Sequence, residues 1–246
     1  MMKLKHLTYA VLVFTAILLS NTLYAQKRKV LVFAKTAGYH HNSIAVGIPA
    51  IQKLGVENNF GVDSTTDSTE FTRDNLKKYA AVIFLSTTGN VLSDDERKAF
   101  EQYIEAGGGF VGIHAAADTE YGWPWYGKLV GAYFLKHPEQ QVATLDVIDR
   151  KSIATRHLPA TWSRKDEWYN YKDISPDIMV LINLDESSYK GGLNGTHHPI
   201  AWYHHYDGGR AFYTGLGHTD ESYNDPLFLK HLLGGIQYAM GVKRME

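Results

Sequence analysis

Short runs of hydrophobic residues alternate with amphipathic segments through the first half of the chain. The runs at residues 30–34, 80–85 and 110–113 contain no polar side chain, which is typical of parallel strands buried on both faces. A further strand is predicted over residues 60–65. The run at 110–113 leaves a glycine triplet and ends abruptly on His114.

The segments between these runs carry hydrophobic residues at helical spacing. Ser43 is expected to cap a first helix, in which Pro49 introduces a kink or delays the start. A short helix is predicted over residues 72–78, and another follows Ser93, which forms a capping box with Glu96. Strands and helices therefore alternate, which predicts an α/β fold of three layers around a mostly parallel sheet.

The second half of the chain has a different pattern, with several strands and few helices between them. Strands are predicted over residues 142–148, 178–184, 200–206 and 210–214. A closing helix is predicted over residues 226–240. These strands are expected to extend the sheet in antiparallel fashion, and no repeat or long linker divides the chain.

The first 25 residues have the pattern of a secretory signal peptide. Two lysines precede an apolar stretch at residues 7–19, and Leu23-Tyr24-Ala25 leads into the polar residues 26–29, with cleavage expected after Ala25. The stretch is shorter than the roughly 20 apolar residues of a membrane-spanning helix. The mature protein is therefore expected to be one domain over residues 26–246, secreted to the periplasm without a membrane anchor.

Charge and cysteine content exclude several classes of function. The chain has 25 basic and 26 acidic residues, and the predicted leader contains two of the basic ones. The near balance gives no electrostatic reason to expect a nucleic-acid partner. Cysteine is absent, so neither disulfides nor thiolate chemistry can contribute.

Polar side chains gather where the predicted parallel strands end. The loops at residues 38–43, 86–89 and 114–118 follow three of these strands, and the carboxyl ends of parallel strands share one edge of a sheet. His114 stands where nucleophile-elbow enzymes present Ser or Cys. An imidazole at that place can bind a metal or move a proton near neutral pH.

Later segments add candidate partners for His114. Glu167 offers a carboxylate, and His218 follows two glycines that let the backbone approach a ligand closely. Of the adjacent pair His40 and His41, only one ring can face a common point from an extended segment, and His41 is favoured. Such a set suits zinc or a similar divalent ion, and equally suits general acid–base chemistry.

The order of several short motifs resembles the ThuA-like (trehalose utilisation) family. The motifs are FAKTAGYHH at 33–41, GIHA at 112–115, WPWY at 123–126, DEWY at 166–169, HPIAW at 198–202 and GLGH at 215–218. The resemblance spans nearly all of the mature chain. It implies a flavodoxin-like fold similar to that of class I glutamine amidotransferases, but amidotransferase activity is not implied, because this chain has no cysteine.

The resemblance further implies a role in sugar metabolism, with a glucoside or 3-keto-glucoside as substrate and one divalent metal such as zinc. A ketone at C3 acidifies the proton at C2, so a base could remove that proton and expel the C1 substituent before water adds. On this hypothesis His114, Glu167 and His218 are catalytic, and His41, His114 and His218 surround the metal or the enolate oxygen. The expected substrate-binding residues are Tyr39, Trp123, Trp125, Trp168 and His198.

Two other functions fit the same residues. A carbohydrate-binding protein without turnover would need only the aromatic side chains. A keto-sugar isomerase would share the enolate step, and only its products would differ from those of cleavage. In each case the expected partner is a small sugar.

Overall fold

The computed structural model describes residues 27–246, so the predicted leader at 1–25 lies outside the described residues. The strands are β1 Lys29–Phe33, β2 Gly61–Thr65, β3 Ala81–Leu85, β4 Gly109–Ile113, β5 Tyr133–Lys136, β6 Gln141–Val147, β7 Thr161–Asp166, β8 Asn170–Lys172, β9 Met179–Asp185, β10 Pro199–Tyr206 and β11 Gly209–Thr214. The helices are α1 Ile44–Glu57, α2 Arg73–Leu76, α3 Asp94–Glu105, α4 Pro124–Val130 and α5 Pro226–Ala239.

Nine of these strands form one sheet in the order β2-β1-β3-β4-β11-β10-β9-β6-β7. The five strands from β2 to β11 run parallel, and the strands from β10 to β7 continue the sheet in antiparallel fashion. The predicted fold, a mostly parallel sheet with an antiparallel extension from the second half, is confirmed. Strands β5 and β8 pair separately as a two-stranded ribbon.

Helices cover both faces of the parallel strands, as their continuous apolar sequences predict. Phe84 and Phe110 point to one face, where they pack against Phe100 of α3 and Tyr126 of α4. Phe212 points to the opposite face and contacts α5, where a side chain at Gly235 would collide with its ring. Strands β3 and β4 are buried along their whole length as a result.

The predicted helix starts are correct in position, but one of them differs in chemistry. Helix α3 begins with the expected capping box, in which the Glu96 carboxylate accepts from the Ser93 backbone N–H at 2.7 Å. Helix α1 begins after Ser43 and contains Pro49, but the Ser43 hydroxyl does not cap it. That hydroxyl instead donates to the carbonyl of Gly217 at 3.1 Å, which ties the start of α1 to a distant loop.

Sequence patterns did not predict four short elements. Helix α4 has Pro124 in its first turn and ends at Gly131, whose φ is 94°, and both are ordinary helix boundaries. Strand β7 is at the edge of the sheet and carries mainly polar residues, while β5 and β8 have only four and three residues. Their pattern is too short or too polar to indicate strands.

Among residues 27–246, no helix is long and apolar enough to cross a membrane.

A buried ion pair joins the loops that follow β3 and β4. Glu120, which is fully buried, accepts from the backbone N–H groups of Val91 and Leu92 at 2.7 and 2.9 Å. Arg97 of α3 donates to the same carboxylate at 2.5 and 3.0 Å. Removing one partner of such a pair leaves buried charge and donors unsatisfied.

We expect Glu120→Ala to lower the free energy of unfolding by about 3–5 kcal/mol, since it leaves Nε and Nη2 of Arg97 and two backbone amides without an acceptor. Urea unfolding would measure the loss. Asp94→Ala is the matched control, because Asp94 contacts the same Arg97 but its side chain is 97% exposed. Equal stability of the two variants would show that the buried pair does not hold these loops.

Candidate functional site

His114 is presented at the carboxyl end of β4 by a sharp change in the backbone. Its φ is 49°, a left-handed conformation that is uncommon outside glycine, and it opens a 3-10 turn over His114–Asp118. The ring is buried, and its Nδ1 lies 3.0 Å from the carbonyl of Gly215. The Tyr213 hydroxyl donates to the His114 carbonyl at 2.7 Å and so supports the turn.

The side chains of His114, His218 and Glu167, from three separate segments, meet around the Nε2 atom of His114. His218 Nδ1 lies 3.0 Å away and Glu167 Oε2 lies 3.4 Å away. The same Glu167 oxygen is 3.1 Å from His218 Nδ1. The structure thus brings together the three residues that the sequence predicts to be catalytic.

His41 completes the cluster from the loop after β1. Its buried ring stands edge-on to His114 and His218, with ring centroids 4.9 and 5.2 Å away. Its Nδ1 is buried and has no hydrogen-bond partner among the described residues. The neighbouring His40 is exposed and its Nδ1 lies 3.2 Å from Thr36 Oγ1, so it is His41 that joins the cluster. We call His41, His114, Glu167 and His218 the histidine cluster.

Burial and mutual contact shift the ionisation of this cluster. Burial, together with the nearby His114 and His218, lowers the pKa of His41 to about 3. Burial alone would raise the pKa of the Glu167 carboxyl, but hydrogen bonds and charge from His114 and His218 outweigh it and hold the pKa well below its usual range. At neutral pH the cluster therefore combines an uncharged His41 ring with a carboxylate.

The arrangement fits a divalent metal ion. Each of the four residues offers one ligand atom, and these atoms all lie within 4.8 Å of one another. Ligands of tetrahedral zinc are about 3.3 Å apart when zinc–nitrogen bonds are about 2.0 Å, close to the spacings between His114, Glu167 and His218. Three imidazoles and a carboxylate also suit other divalent transition ions.

Second contacts of the rings orient their free nitrogens into the cluster. His114 Nδ1 donates to the Gly215 carbonyl, so Nε2 is the ring nitrogen that faces Glu167 and His218 and would offer its lone pair to a bound ion. His218 Nε2 lies 2.8 Å from Nε2 of the Gln140 side-chain amide, so Nδ1 is the ring nitrogen that faces the cluster. Both rings thus have a polar partner at the nitrogen remote from the cluster, as metal-binding histidines usually have.

Asp166 fixes the loop that carries His218. Its carboxylate is buried and accepts from the backbone N–H groups of Gly217 and His218, both at 3.1 Å. Arg164 approaches the same carboxylate at 3.2 Å. The sequence predicted a site role for Glu167 but not for this neighbour. Successive residues of an extended segment point to opposite sides, so Glu167 faces the cluster while Asp166 holds the His218 loop.

Further residues surround the cluster without having been predicted. His137 Nδ1 lies 3.3 Å from Glu167 Oε1, the oxygen that does not contact His114 or His218, and its side chain is 42% exposed. The Tyr169 ring packs against the His114 ring with centroids 4.4 Å apart. His137 lies in the loop between β5 and β6. No sequence pattern marks this loop as close to Glu167, and only the folded structure brings the two residues together.

The predicted substrate-binding residues divide into two groups. Tyr39 is 65% exposed and its ring stands edge-on to His41 at 4.8 Å, so it borders the cluster. Trp168 is instead completely buried, and its indole donates to the Gln141 carbonyl. His198 is also buried, where it contacts Glu186 and the Tyr169 carbonyl. Both residues stabilise the core and do not line the cluster.

Trp123 and Trp125 also lie away from the cluster. They stack on one another in the α4 segment, and the Trp125 indole donates to Asp207 at 2.7 Å. Asp207 follows β10, whose end pairs with the start of β11, so this contact is at the edge of the sheet opposite His114. Three of the predicted tryptophans thus pack against other parts of the fold, and Tyr39 is the predicted aromatic residue beside the cluster.

Comparison with known proteins shows that this chain is similar to one family. Residues 29–239 match the family model ThuA, described as trehalose utilisation. A thua-like protein from Bacteroides uniformis ATCC 8492 is 28% identical, with a TM-score of 0.75 over 89% of this chain and 94% of that chain. A search of curated proteins found no match.

Two further structures share the fold at lower identity. A thua-like protein from Parabacteroides merdae ATCC 43184 is 20% identical, with a TM-score of 0.74 over 90% of this chain and 92% of that chain. PurLQS from Thermotoga maritima is 12% identical, with a TM-score of 0.53 over 88% of this chain and 99% of that chain. These two likenesses show the fold alone, and the second confirms its relation to the glutamine amidotransferase-like fold.

The low pKa of His41 generates a prediction about acid stability. Because the unfolded ring takes up a proton near pH 6.5 and the native ring does so only near pH 3, stability should fall as pH decreases between these values. In chelator-treated protein we expect His41→Phe to remove about 2 kcal/mol of the decrease between pH 7.5 and pH 5. Urea unfolding at the two pH values would measure it, and identical decreases would contradict the prediction.

Proposed function

This chain belongs to the ThuA (trehalose utilisation) family, whose name indicates a carbohydrate-related role, and on that premise we propose that it is a secreted enzyme that cleaves a glucoside or 3-keto-glucoside. The observation that carries the proposal is the buried histidine cluster at the carboxyl edge of a parallel sheet, where ligands bind in open α/β folds. The predicted leader at residues 1–25 supports secretion to the periplasm.

The proposed reaction begins with removal of the proton at C2, which a ketone at C3 makes acidic. Glu167 is the candidate base, because one of its oxygens contacts His114 and His218 while the other faces the more exposed His137. The electron pair left at C2 moves toward the C3 oxygen and then expels the C1 substituent, which leaves as an alcohol after protonation. Water then adds across the resulting C1–C2 double bond, its oxygen to C1 and a proton to C2, which completes the cleavage.

The chain supplies distinct groups for the charges that develop in this reaction. His41, His114, Glu167 and His218 would hold the divalent ion, which when bound supplies Lewis-acid polarisation of a sugar oxygen. His137 Nδ1 lies 3.3 Å from Glu167 Oε1 and 2.9 Å from the Pro138 carbonyl, so it is a donor there, and its half-exposed ring would hold that carboxylate oxygen in place. The Tyr39 ring, exposed beside His41, offers a flat surface for a sugar ring.

Metal content is the first test of the site. We expect the purified protein, after reconstitution with zinc, nickel or manganese, to retain close to one equivalent of metal by elemental analysis. In His114→Ala we expect the amount of retained metal to fall at least tenfold, because the central ligand of the cluster is removed. His40→Ala is the matched control, since His40 is the exposed neighbour of His41 and does not join the cluster. No retained metal in the wild type would contradict the metal site.

Turnover is the second test. We expect Glu167→Gln to reduce the cleavage rate of a 3-keto-glucoside by about 10²–10⁴-fold, the usual contribution of general acid–base catalysis. Metal content measured on the same variant separates loss of the base from loss of the ion. Unchanged turnover would contradict the role of Glu167.

Product analysis decides among the remaining functions. Free keto-glucose and the released alcohol would establish cleavage, whereas an isomeric keto-sugar of unchanged mass would establish isomerisation. Saturable sugar binding without any product from the wild type would indicate a carbohydrate-binding protein and overturn the proposal of catalysis.

A further inference from the structure

A cavity of about 830 Å³ opens at the edge of the sheet opposite the histidine cluster. Its lining includes Ala80, Gly107 and Gly108, which immediately precede β3 and β4. The histidine cluster is at the other end of the same strands. The proposed function therefore leaves this cavity without a role.

Positive charge dominates the lining of this cavity. Four cationic side chains contribute to it, those of Arg28, Arg73, Lys77 and Arg210, against the single carboxylate of Glu105. Within residues 27–246, none of the three arginines forms an ion pair, and Lys77 contacts only the exposed Asp74 at 2.6 Å. We call Arg28, Arg73, Lys77 and Arg210 the basic cluster.

Two of the arginines are anchored by backbone carbonyls. Arg28 Nη1 donates to the Met240 carbonyl at 2.6 Å. Arg210 donates through Nε to Ala239 at 3.1 Å and through Nη2 to Gly107 at 2.8 Å. The bonds to Met240 and Ala239 satisfy carbonyls at the end of α5, which is an ordinary structural use of arginine. The bonds of the two arginines occupy one and two of the five N–H donors of each guanidinium, so most donors of both side chains remain for a ligand.

Arg73 and Lys77 have no comparable structural use. They are four residues apart around the single turn of α2, so two like charges lie on one face, and among the described residues only the exposed Asp74, 2.6 Å from Lys77, offsets them. The turn is held by other groups, namely the Thr72 side chain that caps it and the buried Leu76. Both cations are exposed, and both line the cavity. An anion in the cavity would relieve their repulsion.

We propose that this cavity binds a phosphate or sulfate group carried on a small organic molecule. Guanidinium groups bind such oxyanions in bidentate fashion, and lysine adds a mobile point charge. The volume is within the range of small-molecule sites, about 300–1,000 Å³, and exceeds what an inorganic ion needs. Uncharged side chains, including Tyr79, Gln102 and Tyr103, provide the remaining lining for the organic part.

Calorimetric titration of the whole protein at low salt, with EDTA present so that no metal contributes, would test the proposal. The probes are glucose 6-phosphate, glucose 6-sulfate, inorganic phosphate, unmodified glucose and vesicles of anionic phosphatidylglycerol. We expect the two sugar esters to bind at least tenfold more tightly than inorganic phosphate, and glucose not to bind at this cavity.

The double variant Arg73→Gln/Lys77→Gln should weaken binding of the esters at least tenfold. These residues are chosen because they are exposed, whereas Arg28 and Arg210 also hold the end of α5. Arg156→Gln is the matched control, an exposed arginine elsewhere on the surface, and should bind the esters as the wild type does. Equal urea midpoints for the three proteins would show that folding is unaffected.

Several outcomes would overturn the proposal. Binding of the esters that the double variant leaves unchanged would place the anion elsewhere. Equal affinity for inorganic phosphate would remove the organic part of the ligand from the inference, and binding of vesicles alone would identify a lipid surface instead. Absence of binding by every probe would show that the basic cluster only stabilises the fold.

Discussion

The buried carboxylate of Asp166 is the interaction on which the histidine cluster depends. Asp166 is at the end of β7, in the antiparallel extension, yet its two oxygens accept from the backbone of Gly217 and His218 beyond the parallel strand β11. Arg164 balances its charge at 3.2 Å, so the carboxylate is not left unpaired in the interior. Glu167 and His218 thereby keep a fixed separation, although about fifty residues lie between them in sequence.

The remaining members of the cluster are fixed by the parallel half of the fold. His114 is turned inward by its left-handed backbone conformation, which costs on the order of 1–3 kcal/mol and is maintained by bonds from neighbouring strands. His41 precedes α1, and the Ser43 hydroxyl ties the start of that helix to Gly217. The loop of His218 is therefore held from both sides, by Asp166 of the extension and by Ser43 of the parallel half.

Sequence patterns predicted the parallel half well, because each strand there is buried on both faces and therefore apolar without interruption. Strand β3 was predicted within one residue, and the helix after Ser93 was indicated by its capping box. The histidines that follow these strands could be located for the same reason, since parallel strands bring their ends to one edge. His137 and Asp166 escaped prediction, because their positions depend on how the antiparallel extension folds back.

The aromatic residues near the cluster show what the sequence could not predict. Trp168 and Tyr169 are adjacent in sequence, and composition alone favours the tryptophan as a sugar platform. The structure buries Trp168 against the Gln141 carbonyl and sets Tyr169 against His114. Side chains alternate between the two sides of an extended segment, so only one of these two neighbours reaches the cluster. The sequence motif does not show which side faces the cluster.

The length of the parallel strands separates the histidine cluster from the basic cluster. The histidine cluster, with its Glu167 carboxylate, lies beyond the end of β4, while the basic cluster lies where β3 and β4 begin, roughly 20 Å away at 3.3 Å per residue. Two unit charges at that distance interact by at most about 1 kcal/mol at an effective dielectric constant of 20. The affinity of the proposed cation site at one end of the strands is therefore almost independent of the affinity of the proposed anion site at the other end.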